Sequence, residues 1–230
     1  VAHPVRRVRL RALDFYPGWS LAEGLIDLQS TRPALVAWLW DGADRGVALQ
    51  GESPVIHTFN ADRPPVLASE EAIKQYLRFF CAHVWGDEGP FLIVDDADDL
   101  PFDQDMRDDR AGVIRPLHVM EPEAEGMVEA TGTVAYAGHL YFCRFRIQPS
   151  GMVEMLDDKP SEAPPAKLNV QYQPSGPRSN AAFAMPAEDV KIPSRSPLAP
   201  PSWPGTSSGR PPCSAGAVPL RTASASRNVL

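Results

Sequence analysis

Cysteine is scarce in this chain of 230 residues, and long apolar runs are absent. The three cysteines, Cys81, Cys143 and Cys213, are far apart in sequence and form no Cys-x-x-Cys pair. This spacing argues against a disulfide framework or a structural zinc site and favours a reducing compartment. No apolar stretch reaches the roughly eighteen residues of a membrane-spanning helix. The charged sequence VAHPVRRVRLRAL lacks the apolar segment of a secretory signal, so we expect a soluble, cytoplasmic protein with no membrane contact.

Basic residues are outnumbered by acidic residues, 22 to 29, and are unevenly spread. Residues 1–160 carry 15 basic and 26 acidic side chains, whereas residues 161–230 carry 7 basic and 3 acidic ones. An acidic domain lacks the wide basic surface that nucleic-acid binding needs, so we do not expect that function. Eighteen of the basic residues are arginines and four are lysines, which is typical of a GC-rich, bacterial gene.

The last 70 residues differ from the rest in composition as well as in charge. Residues 161–230 contain 13 prolines and 11 serines, and no apolar period is sustained there. Such a segment cannot bury enough apolar surface to offset the loss of chain entropy on folding. We therefore predict one globular domain over residues 1–160 and a disordered, Pro/Ser-rich tail over residues 161–230.

Apolar patterns in the first 160 residues predict mainly β structure. Arginines alternate with Val8 and Leu10, as in a strand with one solvent-exposed face. The apolar run Ala34–Trp40 is typical of a buried strand, and the loop DGADRG after it indicates a hairpin. Residues 127–156 indicate a meander of three strands. Further strands are predicted at residues 21–28, 54–60 and 90–94. Residues 113–120 are interrupted by Pro116 and are therefore expected to form an edge strand or no strand.

The middle strand of the predicted meander has the sequence LYFCRFRIQ. Its residues alternate between apolar and charged side chains, and side chains in a strand point to opposite faces in turn. We expect four residues to face the core, namely Tyr141, Cys143, Phe145 and Ile147, and Arg144 and Arg146 to face solvent.

One helix is predicted, over Ser69–Trp85. Ser69 can cap its N-terminus, and Glu70 and Glu71 suit the positive end of the helix dipole. Apolar residues recur at helical spacing on one face. About eight strands around one helix, without βαβ alternation, predict an α+β fold with a mostly antiparallel sheet packed on one main helix.

The sequence VDDADD follows a predicted strand and is the clearest candidate for a chemical site. Asp96 and Asp98 form a D-x-D pair, which can chelate a hard divalent cation such as Mg²⁺ or Mn²⁺ and thereby hold phosphates. The alternative is an acidic loop exposed to solvent. The five histidines share no metal-ligand spacing, and the match GTSSG lies among prolines that exclude a nucleophile elbow.

Aromatic residues are concentrated in the sequence YLRFFCAHVWGDEGPF. Phe79 and Trp85 fall outside the main apolar face of the predicted helix, so either they contact a second layer or they form an interaction patch. The sequence thus favours a non-enzymatic module that binds another protein and needs no cofactor. The alternative is a metal-dependent enzyme that handles phosphates or sugar nucleotides through Asp96 and Asp98.

Overall fold

The computed structural model describes residues 5–26, 34–100, 110–122, 126–163 and 188–190. Within them, two antiparallel sheets and a short hairpin pack with two α-helices. The helices are α1 (Ser53–Asp62) and α2 (Glu70–His83). The strands are β1 (Val5–Ala12), β2 (Ser20–Ile26), β3 (Ala34–Trp40), β4 (Gly46–Leu49), β5 (Trp85–Gly86), β6 (Gly89–Pro90), β7 (Leu92–Val94), β8 (His118–Val119), β9 (Val128–Tyr136), β10 (His139–Ile147), β11 (Val153–Pro160) and β12 (Glu188–Val190).

The first sheet has the strand order β12-β1-β2-β3-β4. Its hairpins confirm the strand predicted at residues 34–40 and, as far as Ile26, the strand predicted at residues 21–28, whose last two residues lie outside the described ranges. The prediction that the arginine face of β1 is exposed to solvent is wrong. Arg11 is only 9% exposed, and it lies opposite Leu21, which belongs to the core shared with α2. Opposed residues of antiparallel strands share a face, so the arginine face of β1 points inward. Arg9 on that face pairs with the partly buried Glu23.

The second sheet has the order β11-β10-β9-β7, with β8 also paired to β9, and it confirms the predicted meander. Cys143, Phe145 and Ile147 are buried as expected, whereas Tyr141 is partly buried. The opposite face is only in part exposed to solvent. A small second core covers one end of it, formed by Leu92, Val94, Leu100, Ala135 and Leu140.

Helix α2 confirms the predicted helix. The hydroxyl of Ser69 accepts a hydrogen bond from the backbone N–H of Ala72 at 3.1 Å, which satisfies one free donor of the first turn. The helix ends at His83 because Val84 is extended, two residues before the predicted end.

The strand predicted at residues 54–60 is instead helix α1, so the prediction of one main helix is wrong. Pro54 is tolerated in a first helical turn, where the missing N–H would have no acceptor. Ile56, Phe59 and Asn60 are the buried residues, and their spacing of three to four places them on one face. The β-branched residues in this segment favoured a strand locally, but packing against the core decides the conformation.

The fold class is α+β with mostly antiparallel sheets, as predicted. In the described ranges no helix has the length and apolar character needed to span a membrane. Of the predicted tail, only residues 161–163 and 188–190 are described, and the rest lies outside the described residues. Residues 188–190 form β12, which pairs with β1, so a segment of the predicted tail belongs to the first sheet.

Candidate functional site

Trp85 is the most prominent exposed aromatic residue in the described part of the chain. It is 49% exposed and opens the β5–β6 hairpin directly after α2. Its backbone N–H donates to the carbonyl of Gly51 at 2.8 Å, and its indole Nε1 donates to the carbonyl of Ala82 at 3.2 Å. A Cβ atom on Gly51 would lie 2.9 Å from the indole ring, so the ring packs closely against this glycine. The exposed indole is therefore held in a fixed orientation.

The tip of the same hairpin is acidic. Asp87 and Glu88 connect β5 to β6, and both are exposed. The backbone N–H of Glu88 donates to the hydroxyl of Tyr136 at 3.2 Å, which anchors the tip to β9. We call residues Trp85–Pro90, the sequence WGDEGP, the Trp85 hairpin.

Tyr136 supports the Trp85 hairpin from the second sheet. Its ring stacks on Phe91, with ring centroids 4.5 Å apart and an angle of 20° between the planes. A Cβ atom on Gly86 would collide with the Tyr136 hydroxyl. Only glycine at position 86 therefore lets β5 lie this close to Tyr136.

Phe79, the other residue of the predicted interaction patch, is fully buried. Its ring centroid lies 5.4 Å from that of Phe15 and 4.8 Å from that of His83. Phe79 therefore belongs to the core, because a second layer formed by the loop after β1 covers this side of α2. The patch prediction remains for Trp85 alone.

Asp96, one residue of the predicted metal pair, forms a capping structure with Asp99 at the end of β7. Asp96 Oδ1 accepts hydrogen bonds from the backbone N–H groups of Asp98 and Asp99, at 2.8 and 3.2 Å. In return, Asp99 Oδ2 accepts from the backbone N–H groups of Asp95 and Asp96, at 2.8 and 3.3 Å. This reciprocal arrangement is a capping box on a single 3₁₀ turn, Ala97–Asp99.

Asp95 connects the same loop to its neighbours. Its carboxylate forms an ion pair with Arg78 on α2 and accepts a hydrogen bond from the backbone N–H of Leu117 at 2.8 Å. Asp98 is exposed, and Asp99 is buried. No group of three or more potential metal ligands occurs among the described residues, and residues 101–109, with four more aspartates, lie outside them. The metal pair stays a prediction.

The two buried cysteines and the partly buried His83 have pKa values that disfavour their charged forms. Burial raises the pKa of the Cys143 thiol to about 12 and also raises the pKa of Cys81. Both residues are free and buried, as the apolar sequence around them predicts. Burial lowers the pKa of His83, whose Nδ1 lies 2.8 Å from the carbonyl oxygen of Phe79. These thiols remain protonated at neutral pH, which makes them weak nucleophiles.

A buried polar network ties the helices to the β10–β11 turn, and sequence reasoning missed it. The Tyr16 hydroxyl donates to Asn60 Oδ1 at 2.5 Å, and Asn60 Nδ2 donates to the Tyr76 hydroxyl at 2.8 Å. The Tyr76 hydroxyl donates to the carbonyl of Gly151 at 2.5 Å. Burial raises the pKa of both tyrosines. Residues that are hydrogen-bonded in this network lie up to 91 residues apart in sequence, so no local pattern could have indicated the network.

Comparison with known proteins adds no functional information. No family model matches the chain, and no curated protein or solved structure is detectably similar to it.

Proposed function

We propose that the domain is a protein-binding module that recognises a basic segment of another protein through the Trp85 hairpin. The observation that carries the proposal is the exposed but rigidly held indole of Trp85 next to the exposed carboxylates of Asp87 and Glu88. An aromatic face attracts Lys and Arg cations, and nearby carboxylates add Coulomb attraction.

The fixed orientation of Trp85 supports this proposal because a preorganised side chain loses little conformational entropy on binding. Trp85 donates hydrogen bonds to two backbone carbonyls, that of Gly51 in the loop between β4 and α1 and that of Ala82 in α2. Tryptophan is also enriched among the few interface residues that contribute most of the binding free energy.

The charge of the domain supports a basic partner. Residues 1–160 carry 15 basic and 26 acidic side chains, a net charge of −11. Such a field accelerates encounter with cationic ligands and repels anionic ones. The alternative enzyme function through Asp96 and Asp98 has no comparable support, because the Asp96 carboxylate already accepts two backbone hydrogen bonds.

Titration of the full chain with labelled peptides tests the proposal. The probes are fluorescein-labelled GRGRGRGRG, its lysine counterpart and its glutamate counterpart, followed by fluorescence anisotropy at low and high salt. We expect the arginine peptide to bind best, the glutamate peptide not to bind, and affinity to fall with salt.

Matched variants distinguish the Trp85 hairpin from the rest of the acidic surface. Trp85→Ala should weaken binding of the arginine peptide by about 2 kcal/mol, roughly thirty-fold. Met152→Ala, at another exposed apolar residue, should leave it unchanged. Asp87→Lys with Glu88→Lys should weaken binding more than Asp44→Lys in the exposed β3–β4 loop. Equal affinities for hairpin and control variants would reject the proposal.

A further inference from the structure

The part of the chain that follows β12 is opposite in charge to the domain. Residues 1–160 have a net charge of −11, whereas residues 191–230 contain no acidic side chain. The basic side chains in that last part are one lysine and four arginines, namely Lys191, Arg195, Arg210, Arg221 and Arg227. The chain therefore contains a basic segment of the kind that an acidic surface attracts.

The surface around Trp85 contains more negative charge than its hairpin alone. Asp87 and Glu88 lie at the hairpin tip, and Glu52 directly follows Gly51, the residue against which the indole ring packs. All three acidic residues are exposed. Neither the sequence QGESP around Glu52 nor the hairpin sequence WGDEGP contains a basic residue. A cation that reaches the indole ring therefore meets negative charge from two segments of the chain.

The register of the first sheet gives the distance from β12 to Trp85. Opposed residues on four strands form one row, Val190 on β12, Val8 on β1, Gly24 on β2 and Val36 on β3. The row continues to the end of β4, because Ala37, the residue after Val36, lies opposite Leu49. Gly51 follows two residues later and accepts a hydrogen bond from the backbone N–H of Trp85. Five strand spacings of about 4.8 Å thus separate Val190 from Trp85, which is about 24 Å along the row.

The sequence SSGRPP, residues 207–212, lies at a matching distance along the chain. Arg210 comes 20 residues after Val190. For the disordered tail that the composition predicts, a flexible segment of this length has an r.m.s. end-to-end distance of about 22–27 Å. The effective concentration of a tethered segment is highest when this distance equals the span between the two sites. Arg195, only five residues after Val190, reaches at most about 18 Å.

The residues next to Arg210 suit binding to a rigid aromatic surface. Pro211 and Pro212 follow the arginine and restrict its backbone, so less conformational entropy is lost on binding. The preceding residues are glycine and serine, whose small side chains leave the guanidinium accessible. A guanidinium is also the cation that stacks best on an aromatic face.

We infer that the Trp85 hairpin binds residues 207–212 of its own chain, with the Arg210 guanidinium on the exposed part of the indole ring and close to Asp87 and Glu88. This inference rests on the proposed function, because it uses the same site and the same chemistry. The segment is an internal competitor at an effective concentration on the order of millimolar. A basic segment of another protein binds only those molecules in which the hairpin is open, and its apparent affinity is lowered by that fraction.

A nitroxide label on Cys213 of the full chain tests the contact directly, because Cys213 directly follows the proposed segment. Cys81 and Cys143 are buried, so a thiol reagent labels Cys213 first. We expect the unpaired electron to broaden the amide NMR signals of residues 85–90. The signals of residues 41–45 are the internal control and should stay sharp, because the β3–β4 loop is also acidic but lies at the opposite end of β4.

Matched variants of the labelled chain identify the groups that make the contact. Arg210→Gln should abolish the broadening at the hairpin, whereas Arg210→Lys keeps the positive charge and should retain most of it. Arg195→Gln makes the same change in net charge at an arginine that is too close to β12 to reach the hairpin, and it should leave the broadening intact. Trp85→Ala should reduce the broadening, because it removes the aromatic face.

The affinity for fluorescein-labelled GRGRGRGRG measures the competition. Arg210→Gln should bind this peptide at least threefold more tightly than the native chain, which corresponds to a hairpin that is open in about a third of native molecules or fewer. Arg195→Gln should bind it as the native chain does.

Three results would overturn the inference: no broadening at residues 85–90 in the native chain, equal broadening after Arg210→Gln, or unchanged peptide affinity after Arg210→Gln. In each case, peptide binding that is lost in Trp85→Ala would still support the proposed function. Absence of such Trp85-dependent binding in every variant, Arg210→Gln included, would instead reject the proposed function and this inference together.

Discussion

Asn60 on α1 and Tyr76 on α2 are joined by a buried hydrogen bond, with 2.8 Å between Asn60 Nδ2 and the phenolic oxygen. The same phenol donates to the Gly151 carbonyl in the turn between β10 and β11. A single hydroxyl thus connects both helices to the second sheet. Because each of these groups is buried, the loss of one partner leaves the others without compensation for their lost hydration.

Tyr76→Phe should therefore destabilise the protein by about 1–3 kcal/mol, although it removes only one oxygen atom. The free energy of unfolding in urea measures this loss. Tyr141→Phe, at a partly buried tyrosine on β10, is the control and should cost less than about 0.5 kcal/mol. A similar loss in both variants would show that the network contributes nothing specific.

Gly151→Ala should destabilise the protein by more than the cost of placing alanine in a left-handed backbone conformation. Gly151 has φ of +80°, and an added Cβ atom would lie 2.5 Å from Asn60 Nδ2 and 2.8 Å from Pro65 Cδ. Gly18 has φ of +79° with no atom within 4 Å of the same position. Gly18→Ala should cost about 1–2 kcal/mol through the left-handed backbone. Gly151→Ala should cost about 1–3 kcal/mol more through overpacking, measured by urea unfolding.

The buried thiols should react slowly in the native protein. Burial raises the pKa of Cys143 to about 12, so little thiolate forms at pH 8. In a Cys213→Ser background, a thiol reagent should label Cys81 and Cys143 slowly in buffer and rapidly in urea. Rapid labelling of Cys143 in buffer would mean that β10 presents its other face to the core.

Glu129 should make stability depend on pH in the acidic range. Hydrogen bonds that Arg144 and Arg146 donate to the Glu129 carboxylate lower its pKa. Burial of Glu129 opposes this effect in part. A carboxyl whose pKa is lower in the folded state stabilises that state above its unfolded pKa, about 4.3, and this contribution is lost as the pH falls through the folded value. Glu129→Gln should reduce stability at pH 7 and should reduce this acid dependence. Glu154→Gln, at an exposed residue of β11, should do neither.

Thermal unfolding with divalent cations separates the two functions considered for this domain. A metal site at Asp96 and Asp98 would stabilise the native state by about 2.7 kcal/mol at one hundred times Kd. Asp98→Asn would remove that effect and keep the cap, which uses the Asp96 carboxylate. The proposed binding function instead predicts no change in Tm with Mn²⁺, Mg²⁺ or Ca²⁺. A shift that Asp98→Asn removes would favour the enzyme.

Local patterns predicted the regular elements well where periodicity and burial agree. Helix α2 has its cap, its acidic first turn and its apolar face within one stretch, and the meander has clear alternation between turns. The segment at residues 54–60 misled the prediction because Val55, Ile56 and Thr58 favour strands locally, while long-range packing makes the segment helical. Nothing local could show this.

The site was only half predictable for the same reason. The sequence singles out Trp85 as lying off the main apolar face of α2, but it does so equally for Phe79. Burial separates the two, and that depends on Phe15, which is distant in sequence. Similarly, the alternation in β1 shows that the arginines share one face of the strand. It does not show whether that face points to the core or to solvent, because the sequence pattern is the same in both cases.

The close approach of Gly86 to Tyr136 has an evolutionary consequence. Position 86 must stay glycine only as long as a tyrosine hydroxyl occupies the space where its side chain would be. The two positions should therefore covary among homologues: glycine at position 86 should accompany tyrosine at position 136, and larger residues should appear there only where a smaller residue replaces the tyrosine.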